Sequence, residues 1–388
     1  MRISKFITPE IIFGNGSLSQ IGESLSRLGA KRVFVVSDYG VTQAGWVEKA
    51  IEYMQGSKLD CHAWLDVTKN PKDFEIERGL REYRASGCDA VVGIGGGSTL
   101  DAAKAVALLS TNEGTIHAYE GVDKISRPLP PMVVLPTTAG SGSEVSQFSI
   151  ITDSSRKLKM TIISKSLIPD IAIVDPQTLT TKDPLLTANT GMDALTHAIE
   201  SYISLAATPL TEGYSLNAIR LISKNLRPST ASRFNQEAKE AMAMASLQAG
   251  IAFSNAILGA VHAMSHQLGG LLDIPHGETN ASLLPFVMEY NYIACPDKFK
   301  HIAEALGEQV EGLGTHQAAK RSIQAIKELA NDLGIPNALS TIDLNEDQIE
   351  QLSLNAVNDA CMITNPRDLS VNDVKTLFRQ AFSGGSYG

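Results

Sequence analysis

Ala90-Val91-Val92-Gly93-Ile94 runs directly into Gly95-Gly96-Gly97-Ser98, and from there into a helical stretch from Leu100 to Leu109. A short apolar run without alternation reads as a strand covered on both faces, as in a parallel sheet. The glycines after it form a tight turn, and the helix behind them opens with free N–H groups. Working outward, Arg32-Val33-Phe34-Val35-Val36-Ser37, Met132-Val133-Val134-Leu135 and Ile171-Ala172-Ile173-Val174 read as further strands. Helical spacing separates them, for example from Ile76 to Ala85. Alternating strands and helices are the pattern of an open α/β domain with a parallel sheet.

The strand signal stops near residue 185. Gly191 to Ile203 reads as a helix with Asn189 or Thr190 able to cap it. The weakly polar stretch from Ala249 to Met264 is too short and too polar to span a bilayer and reads as one buried helix. Ile323, Ile326, Leu329 and Leu333 keep helical spacing until Gly334 and Pro336, and Val371 to Phe382 is amphipathic. The expected division is therefore an α/β domain over residues 1–182 and an all-α domain over residues 183–388, with a loosely ordered tail from Ser383 to Gly388.

Composition narrows the function. With 43% hydrophobic and 19% charged residues, the chain reads as soluble and globular. A net charge of -9 without a basic run argues against nucleic acid. Cys61, Cys88, Cys295 and Cys361 form no CxxC pair, which disfavours a zinc ribbon or a disulfide framework and suits reduced thiols in the cytoplasm. Met1 to Phe6 lacks the apolar core of a signal peptide.

Asp193 and His197 lie four apart, as do His262 and His266, and His276 follows in Pro275-His276-Gly277. Four of the chain's eight histidines thus fall in one window. A four-residue step turns a helix by roughly 40°, so each pair shares a face. Two helices and a loop can converge such donors on a divalent cation. Spacing leaves His262 and His266 interchangeable and leaves one of them free to move protons.

The strand ending at Ile94 and the one ending at Leu135 both deliver small polar residues to the same sheet edge. The second delivers Pro136-Thr137-Thr138-Ala139-Gly140-Ser141-Gly142-Ser143-Glu144. Ligands of open α/β sheets bind beyond such ends, which suits a dinucleotide, although the segment from Gly93 to Ser98 does not form GxGxxG. Asp38 reads equally as a turn residue and as an acceptor for adenosine ribose hydroxyls, in which role its charge would disfavour a 2′-phosphate and select NAD over NADP.

Together Gly95 to Ser98, Thr137 to Glu144, Gly191 to His197, His262-Ala263-Met264-Ser265-His266-Gln267-Leu268-Gly269-Gly270 and Pro275-His276-Gly277 resemble the iron-containing (group III) alcohol dehydrogenases. The resemblance spans nearly the whole chain, to Asn365-Pro366-Arg367, and is strongest to the 1,3-propanediol and short-chain branch. It implies a dinucleotide-binding α/β domain followed by an all-helical metal and substrate domain. It implies Asp193, His197, His262 and His276 as metal ligands, with iron expected and zinc the alternative, and His266 as the catalytic proton relay. It implies NAD contacts at Asp38, Asn70, Gly96, Gly97, Ser98, Thr137, Thr138, Ser141, Lys159 and Leu179. Phe148, Phe253 and Cys361 match substrate-pocket positions and are read almost equally as core packing.

Lactaldehyde reductases of the family carry Asn at the position of Phe148, so an apolar residue there favours a simple alcohol or aldehyde. Glu278 departs from the small apolar residue of relatives, and the sequence offers no account of it. The expected activity is NAD-linked interconversion of a small primary alcohol or diol and its aldehyde. The alternatives are a zinc-dependent polyol dehydrogenase of the glycerol type, a dehydroquinate synthase-like lyase and a non-catalytic NAD-binding protein. A cytoplasmic homo-oligomer, dimer or larger, with neither nucleic-acid nor membrane partners, completes the expectation.

Overall fold

A computed structural model describes residues 5–335 and 338–383. Pro336 and the tail beyond Ser383, both singled out above, lie outside the described residues. The chain separates into two compact units, Met1–Lys182 and Asp183–Gly388.

The first unit contains strands β1 (Glu10–Phe13), β2 (Arg32–Val36), β3 (Asp60–Trp64), β4 (Ala90–Gly95), β5 (Gly121–Val122), β6 (Met132–Pro136), β7 (Phe148–Asp153), β8 (Leu158–Ile163) and β9 (Ile171–Val174). Its helices are α1 (Ile21–Arg27), α2 (Tyr39–Gln43), α3 (Trp46–Gly56), α4 (Asp73–Ser86) and α5 (Gly97–Thr111). Six strands form a wholly parallel sheet in the order β1-β9-β6-β4-β2-β3. Every residue of β4, β6 and β9 is buried, which explains the unbroken apolar runs. The order reverses between β2 and β4, which places the ends of β2, β4 and β6 side by side at a topological switch point.

Sequence reading missed β1 and β3, whose residues are mixed in character, and a second sheet in the order β5-β8-β7. Its β7–β8 hairpin pairs Phe148 with Ile163 and Asp153 with Leu158. Two charged residues of α5 hold the chain leading into that hairpin. Lys104 Nζ, fully buried, donates to Ser146 O, Ser146 Oγ and Phe148 O at 2.8, 3.2 and 2.9 Å. Asp101 accepts from Ser143 Oγ at 2.6 Å and from the Ile150 N–H at 3.1 Å.

The second unit is entirely helical among the described residues, as expected from the lost strand signal. It contains α6 (Pro184–Ile203), α7 (Pro209–Ala231), α8 (Gln236–Ala256), α9 (Ala260–Leu272), α10 (His276–Asn291), α11 (Pro296–Leu306), α12 (Thr315–Asp332), α13 (Glu346–Val357) and α14 (Val371–Phe382).

Three sequence readings are corrected here. Helix α6 begins a full turn and more before Gly191 because Asp183 caps it, accepting from the Leu186 N–H at 2.8 Å with Pro184 in the first turn. Asn189 and Thr190 are therefore internal. The stretch from Ala249 to Met264 is not one helix: Ile257, at φ 62°, breaks it, and α8 and α9 meet at 100°. His276 is the first residue of α10 rather than a loop residue. No single helix among the described residues is long and apolar enough to cross a membrane; the bent α8–α9 pair passes by length and composition only.

Candidate active site

Helix α6 presents Asp193, His197 and Glu200 on one face, at a spacing of four and then three residues. All three are buried. Helix α9 presents His262 and His266, and α10 opens with His276. Asp193 Oδ1 lies 3.9 Å from His262 Nε2, 4.0 Å from His276 Nε2 and 4.0 Å from His197 Nε2. The donor atoms of Asp193, His262 and His276 all fall within 4.8 Å of one another, a group that does not include His197. His197 is joined to it by stacking on His262, with centroids 4.6 Å apart, and on Phe253 at 4.5 Å.

The outer nitrogens of these rings are held from behind. His262 Nδ1 lies 2.5 Å from Glu200 Oε2. His276 Nδ1 lies 3.1 Å from Ser265 Oγ. Burial pushes the His262 imidazolium well below its usual pKa of 6.5, and neighbouring His197 adds to this, so the ring is neutral. With Nδ1 against Glu200, the other ring nitrogen, Nε2, faces Asp193.

Asn280, one turn after His276, reports what this arrangement suits. Its Nδ2 lies 2.7 Å from Asp193 Oδ1, 3.1 Å from His262 Nε2 and 3.2 Å from His276 Nε2. An amide nitrogen has two hydrogens and cannot satisfy three converging acceptors. Its buried Oδ1 has no hydrogen-bond partner among the described residues. Oxygen and imidazole donors converging on one point fit a divalent cation of the iron or zinc type.

His266 stands apart from that convergence. Its ring stacks on His276 with centroids 5.6 Å apart, and Nδ1 lies 3.0 Å from Asp359 Oδ2. Burial works to raise the Asp359 carboxyl, but His266 beside it and the Cys361 N–H hold it below the ordinary carboxylate range. Cys361 is buried at 1% exposure, and that burial, with the nearby Asp359 and Glu200 charges, pushes its thiol well above 9. It therefore stays a thiol, a wall rather than a nucleophile.

In the first unit, the glycine segments meet as read from sequence. Gly96 caps α5 without a side-chain hydrogen bond, leaving the helix start open. A Cβ on Gly97 would lie 2.6 Å from Ser141 Cβ, so the two segments touch through the absence of a side chain. The Thr137 N–H donates to Gly95 O at 2.9 Å, and Thr138 borders Gly96. Asn70, at φ 49°, donates its N–H to Ser98 Oγ at 3.3 Å. Thr152, paired with Lys159 across the hairpin, donates its hydroxyl to Asn70 O at 3.4 Å. The turn carrying Leu179 is tied to the end of β6 by Thr178 Oγ1 donating to Pro136 O at 3.1 Å.

Asp38 is a turn residue in this structure. It caps α2 by accepting from the Val41 N–H at 3.0 Å, and its other oxygen accepts from Thr99 Oγ1 at 2.9 Å. Phe148 begins β7 and is buried. Glu278 accepts from Asn189 Nδ2 at 3.1 Å, which supplies the account its sequence lacked.

Glu200, Asn280 and Asp359 escaped the sequence reading. Glu200 follows Asp193 by seven residues, and Asn280 follows His276 by four, so the same-face rule could have found both. Asp359 lies 93 residues from His266 and carries no local signal. A further group, Asp73, His117 and Asp153, lies in the first unit. There Arg156 Nε sits 2.5 Å from Asp153 Oδ2, so that carboxylate already has a cationic partner.

Residues 8–176 match the description "Iron-containing alcohol dehydrogenase", and residues 187–382 match "Fe-containing alcohol dehydrogenase family, C-terminal". The chain is 42% identical to 1,3-propanediol dehydrogenase of Klebsiella pneumoniae, over 98% of this chain and 99% of that protein. It is 40% identical to NAD-dependent methanol dehydrogenase of Bacillus methanolicus, over 97% and 99%. The crystal structure of a 1,3-propanediol oxidoreductase superposes with a TM-score of 0.95 at 42% identity, over 98% of this chain and all of that one. The chain belongs to the iron-containing alcohol dehydrogenase family.

Proposed function

We propose that this protein interconverts a small primary alcohol or diol and its aldehyde by NAD-linked hydride transfer, with Asp193, His197, His262 and His276 holding the metal. As a member of its family it is an oxidoreductase. The observation that carries the metal site is the crowding of Asp193 Oδ1, His262 Nε2 and His276 Nε2 around one amide nitrogen of Asn280.

A cation held by Asp193, His197, His262 and His276 would supply Lewis acidity, and a bound nicotinamide would supply the hydride couple. The chain's own residues do the rest. His262 and His276 turn their Nε2 atoms toward Asp193 Oδ1, so that two ring nitrogens and a carboxylate oxygen face one point. Phe253 stacks on His197 and keeps water from that side. His266, its Nδ1–H directed at Asp359, takes up the substrate hydroxyl proton at Nε2 and returns it in the reverse direction. The dinucleotide is assigned to the first unit, at Asn70, Gly96, Gly97, Ser98, Thr137, Thr138, Ser141, Lys159 and Leu179. Asp38, already a helix cap, has lone pairs left for the adenosine ribose. In the helical unit Phe253 and Cys361 favour a short apolar substrate, and in the first unit Phe148 offers no second polar contact.

Residues 1–182 then serve as the dinucleotide-binding domain and residues 183–388 as the metal and substrate domain, in a cytoplasmic homo-oligomer without nucleic-acid or membrane partners. The test is a panel of short-chain alcohols, diols and aldehydes assayed with metal-reconstituted protein by NADH absorbance. Net NADH change with primary alcohols supports the reading. A preference for glycerol points to the polyol type, and turnover without net NADH change points to the lyase.

A further inference from the structure

Glu200 sits where two structural demands meet. It is 2% exposed, in the middle of the helical unit. Its Oε1 accepts from the Val261 N–H at 2.7 Å, and its Oε2 lies 2.5 Å from His262 Nδ1. Helix α9 has no side-chain cap of its own, since Gly259 occupies the cap position. Instead, Glu200 and Asn365, whose Oδ1 accepts from the Ala260 N–H at 3.2 Å, satisfy its first N–H groups. Gly259 makes room for both: a Cβ there would lie 2.9 Å from Glu200 Oε1 and 3.0 Å from Asn365 Oδ1.

We infer that Glu200 is the positioning residue of the metal centre, a carboxylate that caps α9 from α6 and, through the same group, holds His262 in the tautomer whose Nε2 is free to bind the cation. The inference rests on the metal-site reading above. A carboxylate can accept from both partners at once, and it favours the proton on Nδ1 of the ring it touches. The same α6 face carries Asp193 and His197, so one helix supplies two donors and fixes the orientation of a third on α9.

Glutamine shows why two acceptor oxygens matter and not only the shape. A Glu200→Gln side chain fills the same space but offers one acceptor and one donor group to two facing donors. If its oxygen keeps the Val261 N–H, its NH2 faces His262 Nδ1 and pushes the ring proton to Nε2, which occupies the metal-binding lone pair.

Two measurements decide this. The first is 15N NMR of histidine-labelled, metal-free wild-type protein. It is expected to show His262 protonated at Nδ1, and a ring protonated at Nε2 overturns the inference without any variant. The second is titration of metal-free wild type, Asp193→Ala and Glu200→Gln with cobalt(II), followed by its visible spectrum. Glu200→Gln is expected to bind about 10–100-fold more weakly than wild type while remaining folded by circular dichroism. Equal affinity overturns the role of Glu200 alone. A wild type that binds no cobalt, or an Asp193→Ala protein that binds as well as wild type, overturns the metal-site reading and this inference with it.

Discussion

The two units build their proposed sites by opposite means. In the first, the chemistry is mostly backbone: N–H groups at a helix start, small hydroxyls and the space left by missing side chains, all fixed by where parallel strands end. In the second, the chemistry is mostly side chain: imidazoles and carboxylates from α6, α9 and α10, with buried polar partners behind Asp193, His262 and His276. A backbone site tolerates no added bulk. A side-chain site tolerates no loss of a donor or of the group behind it. The two should therefore fail separately and in different measurements.

The largest effect should come from the side-chain site. Asp193→Ala, His262→Ala or chelation of the metal is expected to lower kcat/KM by about 10³-fold or more, since a Lewis acid contributes several kcal/mol to the transition state. NADH affinity, measured by fluorescence, should remain that of the wild type. An equal fall in NADH affinity would break the separation of the two sites.

Next, His266→Asn and Asp359→Asn are each expected to lower kcat by about 10²-fold with metal content retained, the scale of a lost general acid–base group. Unchanged kcat in both variants would remove the proton relay from the account. Gly97→Ala probes the backbone site. Its new methyl meets Ser141 at 2.6 Å, so NADH affinity should fall about tenfold while metal content holds, and adding Ser141→Gly should recover part of it.

The smallest effect concerns scaffold rather than site. Burial alone would raise the Asp153 carboxyl, but hydrogen bonds from Ser155 and Arg156 hold it far below the usual range. Its folded pKa is thus depressed, so its contribution is complete above about pH 4 and fades as pH falls further. Asp153→Asn should cost about 1–2 kcal/mol near neutral pH, a few degrees of melting temperature, with the gap closing in acid. A gap that stays constant or widens in acid would contradict that charge assignment.

What could be read from sequence follows the same contrast. The strand ends and the Gly95–Ser98 turn were legible because burial on both faces leaves unbroken apolar runs and because close approach demands glycine. The β5-β8-β7 sheet was not, since its placement depends on Lys104 and Asp101, which reach it from 40 or more residues away. The metal-ligand candidates were legible as four-residue steps, but not the division of labour between His262 and His266. That depends on Glu200 standing behind one ring and Asp359 behind the other, contacts separated by 62 and 93 residues. The α8–α9 break was hidden because Ile257 adopts a positive φ that a β-branched residue rarely takes. Asp183 displaced the expected caps because it stands before a proline, a stronger helix start than either Asn189 or Thr190.

The central claim is that hydride chemistry in this protein depends on the cation held by the helical unit. NADH formation from 1,3-propanediol, compared between metal-free and metal-reconstituted wild type, tests it most directly. Steady NADH production that appears only on reconstitution is the predicted result. Undiminished production by the metal-free protein would contradict it.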